Sequence, residues 1–236
     1  MKSILIVAAE RGLGLGLAEQ FFKRGWAVVG TARPGADTSE LRSIGASDTA
    51  RLDVLEIDVT KKEQIAPFVQ KLGERTFDVL FMNAGIFGPV PQSVENATDE
   101  QFAEIMLTNC FGPIRLARNL LAKPKLPGGT LCFMSSHRGS IEMNDEAGLT
   151  LDLYRASKVA TNMLSRTIYA DNRDKGLTVL SIHPGWAATT MGTLDGTVEA
   201  EISVEESVIG VASVVEGNMG SGRNLYLDYK SDRLPW

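Results

Sequence analysis

Two groupings in this chain have residue types and spacings that suit chemistry on a small molecule. The first is Tyr154-Arg155-Ala156-Ser157-Lys158, where a tyrosine and a lysine stand four positions apart in a stretch of helical periodicity and so share one face, a single turn apart. A tyrosine hydroxyl has an ordinary pKa of ~10, so at neutral pH it is protonated but sluggish; a nearby ammonium brings that value down towards the working range. Such a couple can protonate an oxygen on which negative charge develops, as when a hydride adds to a carbonyl carbon. Ser136 follows the apolar run Thr130 to Met134, and a hydroxyl there could hold the same oxygen near Tyr154. Taken singly, these are also a common helix-surface pair and an ordinary strand end. The only histidines, His137 and His183, would be the competing chemistry. Neither has a carboxylate placed to orient it in a recognisable triad. His183, before Pro184-Gly185, reads as structural, and His137, beside Ser136, is expected to line a pocket.

The second grouping is Ala8-Ala9-Glu10-Arg11-Gly12-Leu13-Gly14, where an apolar strand turns into a helix. Glycines at such a turn let the backbone approach a pyrophosphate, and the unpaired N–H groups of the helix start bind it. Small residues also permit tight turns with no ligand. A dinucleotide site predicts an acidic residue ~20 positions further on, holding the adenosine ribose. That place reads Thr31-Ala32-Arg33. The carboxylate is missing and Arg33 stands beside the gap, which with Arg11 in the turn suits a 2′-phosphate and therefore NADP(H). The plain alternative leaves both arginines as solvated surface charges.

These residues need elements to position them. Apolar runs at Ile4 to Ala8, Ala27 to Thr31, Val54 to Ile57, Val79 to Met82, Thr130 to Met134, Thr178 to Ile182 and Asn224 to Leu227 read as seven strands. Helix candidates lie between them at Leu13 to Arg24, Lys61 to Leu72, Asp99 to Leu121, Leu153 to Asp174 and Val204 to Glu216. Start signals include Thr60 with Glu63 three residues on, and Thr98 with Asp99 and Glu100 in the first turn. The alternation predicts a Rossmann-type doubly wound α/β fold, a seven-stranded parallel sheet with helices on both faces, over a single domain, 1–236. Trp186 to Ser203 fits neither period and reads as a long loop, an insertion of functional length.

The chain has 236 residues, 44% hydrophobic and 22% charged, with 24 Lys plus Arg against 29 Asp plus Glu. A formal charge of −5 argues against nucleic acid or an acidic membrane as partner. Cys110 and Cys132 are too few for a disulfide framework and have no CxxC companion for zinc, so a reducing compartment and no metal are expected. The apolar run near the N-terminus is shorter than a signal core or a membrane span, which points to a cytoplasmic protein.

The spacing Ala8-x-x-x-Gly12-x-Gly14, then Asp58-Val59, Asn83-Ala84-Gly85, Asn109, Ser135-Ser136, Tyr154-x-x-x-Lys158 and Pro184-Gly185 resembles the short-chain dehydrogenase/reductase family along essentially the whole chain. Tyr154-Arg155-Ala156-Ser157-Lys158, His183-Pro184-Gly185-Trp186 and Leu234-Pro235-Trp236 resemble the branch with the Sniffer-type carbonyl reductases and bacterial C-factor signalling proteins. The resemblance implies an NADP(H)-dependent oxidoreductase acting on a carbonyl or secondary alcohol, in a homo-oligomer, dimer or tetramer. It also assigns roles. Asn109, Ser136, Tyr154 and Lys158 form a catalytic tetrad, in which Lys158 binds the nicotinamide ribose and Asn109 holds a water in the proton relay. Ala8, Arg11, Gly12, Leu13 and Gly14 make the phosphate turn, Asp58 and Val59 the adenine pocket, and Asn83, Ala84 and Gly85 the turn beneath the cofactor. Pro184, Gly185 and Thr189 position the carboxamide. Ile86, Phe87, Trp186 and Met191 suggest an apolar substrate wall, and the segment between Ser136 and Tyr154 could shape substrate entry. Two places depart from the family pattern. Val7-Ala8 replaces Thr-Gly, so a backbone angle open only to glycine is not expected at Ala8, and shifted cofactor packing is. Ala188-Thr189-Thr190 lacks the branch's flanking basic residue and aspartate. The alternative reading is a cofactor-binding sensor or developmental signalling protein with little turnover.

Overall fold

In the computed structural model, which describes residues 1–145, 148 and 150–236, seven parallel strands form one sheet in the order β3-β2-β1-β4-β5-β6-β7. The strands are β1 (Ser3–Val7), β2 (Ala27–Ala32), β3 (Leu52–Glu56), β4 (Val79–Met82), β5 (Thr130–Met134), β6 (Thr178–His183) and β7 (Asn224–Asp228). Residues alternate faces along each strand. Leu5, Val7, Leu80, Met82, Leu131, Phe133 and Val179 face α3 (Lys62–Leu72), α4 (Asp99–Met106), α5 (Gly112–Asn119) and α6 (Asp152–Asn172). Ile4, Ile6, Val79, Phe81, Cys132, Leu180 and Ile182 face α1 (Gly12–Lys23), α2 (Ser39–Ile44) and α7 (Val204–Asn218). The sheet winds outward one way from β1 to β3 and the other way from β4 to β7. The reversal lies between β1 and β4, and a crevice opens there at the carboxyl ends of the strands.

The expected strands all form, β4 and β5 with the bounds expected and the others with ends shifted by at most two residues. Helix α2 was not expected: its single buried residue, Leu41, packs over Gly30 of β2 and leaves no period to read. Thr98 caps α4 in a reciprocal box with Gln101. Thr60 and Glu63 make no such box, because Asp58 takes the Thr60 N–H and hydroxyl at 2.9 and 2.7 Å and α3 starts at Lys62.

The expected continuous helix from Asp99 to Leu121 is broken by a wide π turn at Leu107–Phe111. Pro113 has no N–H to give the carbonyl of Asn109, four residues back. The Gly112 N–H bonds to Leu107 instead, and the Asn109 carbonyl takes the Thr161 hydroxyl at 3.0 Å. Only glycine fits at 112, since a Cβ there would lie 2.6 Å from the Val59 and Leu107 carbonyl oxygens.

The segment from Trp186 to Ser203 contains no helix or named strand, as expected, but it is folded. Ala187 and Ile202 pair at its base, and Thr189 Oγ1 accepts the Gly192 N–H at 2.9 Å. Of the segment between Ser136 and Tyr154, Glu146, Ala147 and Leu149 lie outside the described residues.

Candidate active site

The turn after β1 shows why its residues are small. Ala8 has a φ of +62°, the left-handed region, contrary to the expectation that alanine there excludes a glycine-type angle. The turn keeps its shape, and the alanine bears the strain. Two neighbours hold it: the Ala8 N–H donates to Thr31 Oγ1 at 3.1 Å, and Asn83 Nδ2 donates to the Ala8 carbonyl at 2.8 Å. That carbonyl lies so close to α1 that a Cβ on Gly14 would sit 2.0 Å from it. Gly12 is also left-handed, and a Cβ on it would point towards the Thr189 methyl, 3.6 Å away. Gly12 and Thr189 thus face each other across a gap. No side chain caps α1 and no acid lies in its first turn, so its amides are available to an anion. Leu13 packs into the core behind the turn. Arg11 and Arg33 are exposed at the rim, and among the described residues no ion pair involves either.

Along the crevice, Asp58 starts the turn into α3 and Val59 is buried beside the π turn. Asn83, Ala84 and Gly85 continue β4. A Cβ on Gly85 would lie 3.5 Å from both Asn109 Oδ1 and Lys158 Nζ, so this turn runs against two of the expected tetrad. Asn109 is committed on all sides. Its Oδ1 accepts the Ile86 N–H at 2.7 Å, while Nδ2 donates to the Ile86 carbonyl and to Ser157 Oγ at 2.9 and 3.0 Å. The Ser157 hydroxyl donates in turn to the Tyr154 carbonyl at 2.7 Å, which links Asn109 to the tyrosine's own helix.

Ser136 and Tyr154 are brought together, near enough for the serine hydroxyl to act on the phenol, while Ser136 Oγ accepts the Arg138 N–H at 3.2 Å. Burial pushes the Tyr154 pKa above its ordinary value; the Ser136 hydroxyl and the positive charge of Arg138 oppose that rise. This differs from the expectation in sign and in the cation involved. Lys158 lies with Nζ 5.5 Å from the Tyr154 ring centroid and donates to the Met134 carbonyl at 3.0 Å. It is 4% exposed, and burial lowers its pKa to about 8, partly countered by Cys110. Phe87 packs its ring 5.4 Å from that of Tyr154. Ile86 lines the same side, while Trp186 and Met191 stand about two-fifths exposed on the loop.

The histidines pair with each other. His137 Nδ1 and His183 Nε2 are 3.2 Å apart with the rings edge to face, and burial with the nearby His137 and Arg138 depresses the His183 pKa to about 3. Gly185, with φ +77°, turns the chain where a Cβ would meet Ile202 and Tyr229, and the Pro184 carbonyl accepts the Ser207 hydroxyl at 2.6 Å. Sequence reasoning missed Arg138 and Gln92. Gln92 is fully buried, accepts the Tyr154 N–H at 2.7 Å and donates to the Phe87 and Pro89 carbonyls at 3.1 and 3.0 Å. Arg138 was readable as the charge two residues after Ser136; Gln92 carried no local signal. Among the described residues no group of three or more His, Cys, Asp or Glu could hold a metal ion, and no helix is long and apolar enough to cross a membrane.

Residues 2–198 match the short chain dehydrogenase family. The chain belongs to that family. C-signal of Myxococcus xanthus is 32% identical over 162 residues, covering 67% of this chain and 92% of its own length. A carbonyl reductase of Pseudomonas aeruginosa PAO1, solved in complex with NADP, is 36% identical, covers 100% of both chains and superposes with a TM-score of 0.87. The carbonyl reductase Sniffer of Drosophila melanogaster is 26% identical over 100% of both chains, with a TM-score of 0.83. The expected family and branch therefore hold, and with the family its class of activity, oxidoreduction.

Proposed function

We propose that this short-chain dehydrogenase is an NADP(H)-dependent oxidoreductase that interconverts a carbonyl compound and its alcohol, with Tyr154 as general acid in reduction and general base in oxidation. The observation that carries the reading is the meeting of Ser136, past the end of β5, with Tyr154 and Lys158 of α6, at the carboxyl ends of the strands beside the glycine turn. The turn fits a dinucleotide. Gly12 opens a cradle a Cβ would fill, and Glu10 Oε2 is buried with no hydrogen-bond partner, an acceptor in want of a donor such as a sugar hydroxyl. Arg11 and Arg33 at the rim would take a 2′-phosphate. Asp58, Val59, Asn83, Ala84 and Gly85 would line the adenosine and central parts, and Pro184, Gly185 and Thr189 the nicotinamide end. Bound there, the nicotinamide supplies or accepts the hydride.

The chain's own groups do the remainder. Ser136 holds the substrate oxygen beside the phenol, and Tyr154 gives its proton to that oxygen as charge develops. Buried Lys158, with its pKa near 8, exchanges protons readily at mildly alkaline pH and replaces the one Tyr154 has given up. Asn109 fixes Ile86 and, through Ser157, the helix of Tyr154. The Trp186 to Ser203 loop closes over the substrate, with Phe87 and Ile86 as the opposite apolar wall. One domain over 1–236, a cytoplasmic location and a homo-oligomer are part of the same proposal; exposed Phe111 and Met163 offer the oligomer apolar surface.

The test is NADPH oxidation with a panel of aldehydes, ketones and quinones. Tyr154→Phe should lower turnover ~10²–10⁴-fold, as loss of a positioned acid does, while NADPH still binds. Lys158→Ala should lower both turnover and NADPH affinity. Wild-type NADPH binding with no turnover on any carbonyl would favour a sensor, and a Tyr154→Phe enzyme that keeps most of its activity would remove the assigned acid.

A further inference from the structure

Ser136 sits past the end of β5, where no sheet ladder holds it, yet in the proposed reading its hydroxyl must stay beside the Tyr154 phenol. Besides the turn's own backbone bonds, three hydrogen bonds to side chains elsewhere in the chain grip the turn. Tyr226 on β7 donates its phenolic O–H to the Ser136 carbonyl. Asn162, one turn of α6 beyond Lys158, donates Nδ2 to the Gly139 carbonyl at 3.0 Å and accepts the Ser135 hydroxyl on Oδ1 at 2.7 Å. Tyr226 reaches its target from two strands away. In the sheet register Tyr226 lies beside Ser181 of β6, which lies beside Phe133 of β5, and the small Ser181 leaves room for the ring to reach towards Ser136. Tyr226, Asn162, Ser135 and Ser136 are all buried, and Trp236 packs its ring 5.2 Å from that of Tyr226, with the Arg166 guanidinium 5.4 Å over the Trp236 ring.

We infer that Tyr226 and Asn162 are positioning residues for Ser136, holding its hydroxyl against Tyr154 without touching the reacting atoms. The inference rests on the proposed reading of Ser136 and Tyr154. Burial pushes the Tyr226 pKa up to about 12, so its phenol remains a donor throughout the working pH range. The Ser136 hydroxyl opposes the rise in the Tyr154 pKa, so loosening Ser136 has a consequence that simple loss of stability lacks: the Tyr154 titration moves upward.

The experiment is Tyr226→Phe, which keeps the ring against Trp236 and removes only the hydroxyl. Expected are a ~10- to 100-fold fall in kcat, the cost of a displaced group about 1 Å from its working position, an unchanged dissociation constant for NADPH by fluorescence titration, and an upward shift of the kcat pH profile. In a Ser136→Ala background the same substitution should cost nothing further, because its effect passes through Ser136. An unchanged kcat and pH profile, or a loss that multiplies fully with that of Ser136→Ala, overturns the inference. Should Tyr226→Phe not fold, Asn162→Ala is read by the same assays and the same criteria. Tyr154→Phe separates the two levels: if it stays active the reading of the site fails, whereas if it is inactive while Tyr226→Phe behaves as wild type only the positioning role fails.

Discussion

Replacing Ala8 by glycine should stabilise the protein, although glycine usually does the opposite. With φ at +62°, the alanine occupies a region that costs an L-residue roughly 1–2 kcal/mol and costs glycine nothing. Against this stand the greater freedom of glycine in the unfolded chain, ~0.5–1 kcal/mol, and part of the ~0.8 kcal/mol for a methyl that packs on the core only at its edge. The net expectation for Ala8→Gly is a gain of about 0.5 kcal/mol, which for a chain of this size is roughly 1–2 °C in melting temperature. The control is the next residue. Ala9 has no such angle, is fully buried among Ile4, Ile6 and Leu41, and should lose about 1 kcal/mol or more as glycine. Thermal and urea denaturation of both variants against wild type decide the matter, with the opposite signs at adjacent positions as the result sought. Thr31 and Asn83 hold the backbone of residue 8 whatever its side chain, so NADPH affinity should stay within about twofold, a shift under roughly 0.4 kcal/mol. If Ala8→Gly destabilises as much as Ala9→Gly does, the left-handed turn is not the one populated in solution and the account of the phosphate turn falls with it.

Arg33→Ala should weaken NADPH binding roughly 10- to 150-fold, the worth of a charge-assisted contact, and leave NADH nearly unchanged; equal losses for the two cofactors would exclude a 2′-phosphate role. His183 is held neutral, with a pKa of about 3 against 6.5 when free, so between these values the unfolded chain binds the extra proton and the native chain does not. Stability is therefore full above pH 6.5 and should fall by up to ~1.4 kcal/mol per unit as pH drops towards 3, and His183→Asn should flatten that limb in urea titrations. An acid limb unaltered in His183→Asn would show that other groups set it. Proteolytic nicking between Trp186 and Ser203 should slow when NADPH and a carbonyl substrate are both present, and an unchanged rate would make the loop a surface insertion only.

The parts of this protein that its sequence determined are those whose cause is local. Seven strands were legible because each is a short apolar run closed by a breaking residue, and the sheet's winding followed from their alternation with helices. The Tyr154 and Lys158 pair was legible because four residues is one turn of one helix, and the phosphate turn because its glycines lie within a single strand-to-helix junction. The π turn was not among them: the periodicity from Asp99 to Leu121 reads as one helix, although Pro113 leaves the Asn109 carbonyl without its helical partner. Tertiary structure decided the rest. Ala8 is left-handed because Thr31 and Asn83, from two distant stretches, and the close approach of the adjoining α1 at Gly14 fix the turn, and no propensity of alanine could announce it. The direction of the Tyr154 pKa depended on how much solvent the fold removes and on Arg138 swinging near, not on the spacing to Lys158. Gln92 meets Tyr154 across 62 positions, and Tyr226 meets Ser136 across 90. Contacts at such separations leave no periodic trace in a single chain. They exist because the fold packs the loop after β4 against the start of α6 and lets β7 reach across β6 to the turn after β5.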